Sequence, residues 1–119
     1  MKTALIIEDD ENNMELISFI LESNGYECIK ADTGQKGFEL AVEKLPDFII
    51  LDIQLSDING LEVLKMIRAS KADGTIPIIA MTSFAMSGDR EKLLAAGCNG
   101  YIEKPIDPEK VMEQIRTVL

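Results

Sequence analysis

Glu8 and Asp9, Asp52, Thr82 and Ser83, and Lys104 are the residues of this chain whose chemical types fit together. Each set closes a short strand-like run: Ala4-Leu5-Ile6-Ile7, Phe48-Ile49-Ile50-Leu51, Ile76 to Met81, and Asn99 to Glu103. Three carboxylates brought together repel, and each resists ionising unless a cation joins them. Mg²⁺ relieves that repulsion, because it is a hard ion that takes carboxylate, carbonyl and water oxygens and commonly bridges to a phosphate. A hydroxyl and an ammonium opposite the acids suit phosphoryl oxygens. Together these groups describe formation of an aspartyl-phosphate, with Asp52 as the nucleophile. Taken singly, each has an ordinary alternative. Asp52 can start a turn, Glu8-Asp9-Asp10 can open a helix favoured by its dipole, Thr82 can end a strand, and Lys104 can be a solvated charge. The chemistry therefore depends on the fold that would bring them together.

The apolar runs at residues 4–7, 48–51 and 76–81 read as strands buried on both faces. Between them the period changes. Leu16, Ile17, Ile20 and Leu21 share a helical face over about residues 12–24, with Gly25 placed to close the helix. Tyr26 to Lys30 is a more polar strand suited to a sheet edge. It is followed by Thr33 as a helix cap and an apolar face of Phe38, Ala41, Val42 and Leu45. Asp52 leads into the turn-rich Ser56-Asp57-Ile58-Asn59-Gly60 and a helix carrying Leu61, Leu64 and Ile67. A fourth helix, roughly Met86 to Ala96 and closed by Gly97, has few large apolar residues beyond Leu93 and Leu94, so it is expected to be the least firmly packed. Asp107 as cap and Pro108 in the first turn open a last helix with Val111, Ile115, Val118 and Leu119 inward.

Strands alternating with helices every ~24 residues specify an α/β protein with a parallel sheet covered on both faces. The expected architecture is a (βα)5, flavodoxin-like, doubly wound five-stranded sheet of order 2-1-3-4-5, which centres the greasiest strands and puts the polar second strand at an edge. That order sets the first and third strands side by side, so Glu8, Asp9 and Asp52 share one crevice at the strands' carboxyl ends, with Thr82 and Lys104 beside them.

A length of 119 residues fits one domain, 1–119. The net charge of −9 disfavours nucleic acid and anionic membrane surfaces as partners. The apolar runs are far shorter than a membrane span, and acids follow the N-terminus too early for a signal peptide, so a cytoplasmic protein is expected. Cys28 and Cys98 form no C-x-x-C and the chain has no His, which leaves a thiolate–imidazole zinc site unsupported; two reduced, partly buried thiols are expected.

Glu8-Asp9, Asp52, Asn59-Gly60, Thr82-Ser83, Gly100-Tyr101 and Lys104-Pro105, in this spacing and over essentially the whole chain, resemble the receiver domains of bacterial two-component response regulators. The resemblance implies that Asp52 accepts a phosphoryl group from a phosphohistidine on a histidine kinase or histidine phosphotransfer protein. It implies Mg²⁺ held by Glu8, Asp9, Asp52 and the backbone carbonyl of Gln54, with Lys104 on the phosphoryl group and a cis Lys104-Pro105 bond. Thr82 and Tyr101 would be the switch residues, altering a face made by the fourth helix, fifth strand and fifth helix, where a downstream protein binds. The added charge, roughly −1.5 to −2, would bias a bistable element. A monomer or weak homodimer is expected, acting only on its own phosphorylation and slow dephosphorylation.

Three positions depart from the family pattern. Ser56 stands where its loop often has Pro, which is expected to loosen the loop without removing a chemical group. Asp10 is a third consecutive acid, expected to face outward. Phe84 puts an aromatic ring near the pocket mouth, expected to slow attack by water. The alternatives are a receiver-like binding module that no longer phosphorylates, the receiver portion of a hybrid kinase, or an enzyme on a similar fold. A flavodoxin-type carrier needs a Ser/Thr/Gly-rich phosphate loop where Glu8-Asp9-Asp10 stands, and an aspartate-dependent phosphatase would want Asp rather than Gln54.

Overall fold

In the computed structural model, which describes residues 2–70, 75–83 and 87–119, with side chains for all of these but 87–90, five parallel strands form one sheet in the order β2-β1-β3-β4-β5. The chain alternates β1 (Thr3–Ile7), α1 (Glu11–Ser23), β2 (Glu27–Ala31), α2 (Gly34–Lys44), β3 (Phe48–Asp52), α3 (Gly60–Ala69), β4 (Ile78–Thr82), α4 (Ser87–Ala95), β5 (Gly100–Glu103) and α5 (Val111–Val118). The expected order and the edge position of β2 are both found.

Side-chain alternation along the buried strands divides the core in two. Ala4, Ile6, Phe48, Ile50, Ile79, Met81 and Ile102 face α1 and α5 and pack with Ile17, Leu21, Val111 and Ile115. Leu5, Ile7, Ile49, Leu51, Ile78 and Ala80 face the other way and pack with Ala41, Val63, Leu64 and Ile67. The β1–β3 register pairs Ile6 with Ile50 and Ile7 with Leu51. Continued by one residue, it sets Glu8 beside Asp52 on the same side of the sheet.

The helices differ from the sequence reading in which faces turn inward. In α2 the buried residues are Gly34, Gly37 and Ala41, while Val42 and Leu45 are exposed. The cause is proximity: a Cβ on Gly37 would lie 2.5 Å from Ile7 Cδ1, so only a glycine-lined face can approach β1 this closely. Phe38 packs at the margin of that cluster. In α1, Met14 and Ser18 join Ile17 and Leu21 inside, Leu16 and Ile20 are half-buried, and Phe19 is 69% exposed. Val63, not Leu61, joins Leu64 and Ile67 in the buried face of α3.

The last helix begins later than expected. Asp107 accepts from the Glu109 N–H at 3.0 Å and caps a turn over residues 108–110, and α5 follows from Val111. Leu119 is exposed and Val118 half-buried, while Met112, not expected inside, joins Val111 and Ile115 on the buried face. Among the described side chains of α4, Leu93 is buried and Leu94 half exposed, in keeping with the sparse packing expected there. Cys28 is half-buried and Cys98 buried, both as free thiols.

Candidate functional site

Two of the acids stand where their strands end against the sheet's carboxyl edge. Glu8 and Asp52 are each 1% exposed, and Asp9 is exposed at the crevice rim. One carboxylate oxygen from each of Glu8, Asp9 and Asp52 lies within 4.8 Å of the others. Lys104 reaches across from the end of β5, its Nζ 3.1 Å from both Asp52 Oδ1 and Glu8 Oε1. Asp52 Oδ1 also accepts from the Gln54 N–H at 3.0 Å. The Lys104–Pro105 peptide is cis, as expected.

Backbone hydrogen bonds keep the strand ends in register at this edge. The Lys104 N–H donates to the Thr82 carbonyl at 2.9 Å, the Ile53 N–H to the Met81 carbonyl at 3.0 Å, and the Glu8 N–H to the Ala31 carbonyl at 3.0 Å. Each carries the strand ladder one residue past its end. Thr82 is buried beside this edge. Tyr101 is half-buried on β5, in register with Ala80 two residues before Thr82, and packs with the cluster on that side of the sheet.

Charge in the crevice is unevenly shared. Burial raises the Asp52 carboxyl, but hydrogen bonding from Glu8, the Gln54 N–H and Lys104 outweighs it, leaving Asp52 below the usual carboxylate range. Burial, then Asp52 itself, pushes Glu8 up to about 7 against the pull of Lys104. For Lys104 burial favours the neutral amine, but the two carboxylates prevail and hold it charged. One ammonium therefore serves two buried acids. Glu8 Oε1, although 3.1 Å from Lys104 Nζ, receives no well-directed hydrogen bond and is buried. An all-oxygen set with an unsatisfied buried oxygen fits a hard divalent cation such as Mg²⁺.

Asp10 faces outward, as expected. It caps α1, accepting from the Asn12 N–H at 2.9 Å and Asn13 Nδ2 at 3.2 Å. Phe84 lies outside the described residues. Two loop residues do more than their types suggested. Ser56 ties its loop to Asp9 by its N–H at 2.9 Å and its hydroxyl at 2.5 Å, so it does not loosen the loop. Asp57 accepts from the Gly34 N–H at 2.8 Å and the Gln35 N–H at 3.0 Å, satisfying the first donors of α2, while Thr33 takes the Lys36 N–H at 3.1 Å. A serine at a position where the family often has proline was the available signal for Ser56, since proline has no N–H to donate.

A five-stranded sheet of this order, with an acidic crevice closed by a lysine, defines a CheY-like receiver fold. The chain belongs to the response regulator receiver domain family, whose model matches residues 4–116. It is 42% identical over 118 residues to the polar-differentiation response regulator DivK of Brucella ovis, covering 99% of this chain and 96% of that protein, and equally so to DivK of Brucella anthropi. Among solved structures, the chemotaxis response regulator CheY4 of Vibrio cholerae superposes with a TM-score of 0.95 at 26% identity, covering 100% of this chain and 99% of that one. The receiver domain of a sensor histidine kinase from Pseudomonas aeruginosa has a magnesium ion coordinated in its active-site cleft. It matches at 31% identity and a TM-score of 0.88, over 98% of this chain and 95% of its own.

Proposed function

We propose that Asp52 is the phosphoryl acceptor of this two-component receiver, taking the group from a phosphohistidine on a histidine kinase or histidine phosphotransfer protein. The observation that carries this is the buried Asp52 carboxylate, 3.1 Å from Lys104 Nζ and grouped with Glu8 and Asp9 at one strand edge. A carboxylate oxygen of Asp52 bonds to phosphorus while the phosphorus–nitrogen bond breaks, and the imidazole leaves with that electron pair. Lys104 holds the acceptor before transfer and a phosphoryl oxygen after it. Glu8, Asp9, Asp52 and the Gln54 carbonyl would hold Mg²⁺. When bound, that ion offsets the carboxylate charge and the charge on the phosphoryl oxygens.

Thr82 is the hydroxyl that moves to the phosphoryl group, and Tyr101 responds behind it. The output surface is the groove of about 720 Å³ between α4, β5 and α5, lined by Leu94, Tyr101, Pro105, Lys110, Gln114 and Val118. A downstream protein docking there reads the changed shape. The net charge of −9 supports protein partners over nucleic acid. Among the described residues no helix is long and apolar enough to cross a membrane, which supports a cytoplasmic place for the chain. The same reading makes residues 1–119 a single receiver domain, a monomer or weak homodimer, and a switch that turns over no metabolite.

The test is incubation with acetyl phosphate and Mg²⁺. Wild-type protein gains one phosphoryl group by intact mass and Asp52→Asn gains none. Equal gain by both would contradict the assignment.

A further inference from the structure

Asp9 is the exposed member of the acidic trio, and nothing in its burial fixes its carboxylate. Among the described residues its carboxylate accepts hydrogen bonds from one residue alone, Ser56, through the N–H at 2.9 Å and the hydroxyl at 2.5 Å. Both fall on Oδ2, and among the described residues Oδ1 accepts no hydrogen bond. The partners are far apart in sequence, one following β1 and the other in the loop after β3, so the contact pins two loops across the crevice mouth. Asp57 pins the same loop on its other side, to Gly34 and Gln35 at the start of α2.

We propose that Ser56 is a positioning residue for the metal site: its paired donors hold Asp9 in ligating orientation and raise Mg²⁺ affinity. The inference rests on the reading of Glu8, Asp9 and Asp52 as the Mg²⁺ ligands. A hard ion demanding near-ideal octahedral geometry gains most from a ligand already oriented, and carboxylate ligands are themselves held by hydrogen bonds from supporting residues. Donated hydrogen bonds also withdraw some charge from the carboxylate, which opposes binding. Orientation outweighs it here because Asp9 is exposed and otherwise free to rotate. Ser56 lies two residues beyond Gln54, so the same clamp fixes the segment that carries the proposed carbonyl ligand. A proline at this position would supply neither bond, having no N–H and no hydroxyl.

The experiment is a Mg²⁺ titration of isotope-labelled wild type, Ser56→Ala and Ser56→Thr, followed by amide chemical shifts, with metal-free thermal unfolding of each. Ser56→Ala, which keeps the N–H, weakens Mg²⁺ binding about tenfold, the low end for loss of a supporting hydrogen bond. Ser56→Thr, which restores the hydroxyl, binds as wild type does, and the metal-free midpoints of all three agree. Wild-type Mg²⁺ affinity in Ser56→Ala would overturn the inference and leave the ligand assignment standing, as would a lowered metal-free midpoint with unchanged affinity. Absence of Mg²⁺ binding by the wild type would overturn both.

Discussion

Lys104 Nζ and Asp52 Oδ1 stand 3.1 Å apart at the ends of β5 and β3, with Glu8 Oε1 at the same distance from the ammonium. One cation holds two buried acids at the end of the sheet. Lys104→Met removes it and leaves both carboxylates uncompensated. Metal-free stability is expected to fall by about 3–5 kcal/mol, as when a buried pair loses one partner. Mg²⁺ recovers much of that loss, since an ion bound only to the folded state stabilises it by mass action. Urea unfolding with and without Mg²⁺ measures both effects.

Asp57 ties the β3–α3 loop to α2. The Gly34 N–H holds its carboxyl below the usual range, helped by the Gln35 N–H against a weaker effect of burial. A lowered folded-state value contributes stability above the unfolded value of 3.8 and loses it as pH falls through the folded value. Asp57→Ala is therefore expected to cost about 0.5–2 kcal/mol at neutral pH, the range for a lost helix cap. The gap from wild type narrows as pH falls below the unfolded value and closes below the folded one, which denaturant unfolding across that range measures.

Gly60 opens α3 directly against the end of β3. A Cβ there would overlap the Asp52 carbonyl oxygen and Ile53 Cα, backbone atoms that cannot swing away. Gly60→Ala is expected to cost about 2 kcal/mol or more through overpacking and to weaken Mg²⁺ binding by displacing Gln54. Thermal unfolding and a Mg²⁺ titration check the two parts. An equivalent change at Gly25, where an added Cβ meets nothing within 4 Å although φ is +88°, disturbs the backbone alone and leaves Mg²⁺ affinity unchanged.

Thr82 and Tyr101 occupy one side of neighbouring strands. Thr82→Ala keeps Asp52, Lys104 and the acidic trio, so it is expected to gain a phosphoryl group as wild type does. It loses the hydroxyl proposed to convey the change. On phosphorylation the Tyr101 ring resonances shift in wild type and stay near their unphosphorylated positions in the variant.

The sheet was legible because buried parallel strands write themselves as uninterrupted apolar runs, and the site because each of those runs stops at a polar residue. Asp52 followed from Phe48 to Leu51, and Lys104 from the end of the last strand. Helix faces were less legible. The burial of Gly34, Gly37 and Ala41 in place of Val42 and Leu45 reflects how closely α2 approaches Ile7, a distance that periodicity does not encode. Ser56 and Asp57 looked like ordinary turn residues because their partners, Asp9, Gly34 and Gln35, are distant in sequence and meet them only in the folded chain.

The most direct test of the central claim is to phosphorylate the wild-type protein from a phosphohistidine donor in the presence of Mg²⁺, trap the acyl phosphate with borohydride, and locate the reduced residue by peptide mass spectrometry. The predicted result is homoserine at position 52 alone, with none formed when Mg²⁺ is chelated. Modification at Asp9, Asp10 or Asp57 with position 52 intact would contradict the account.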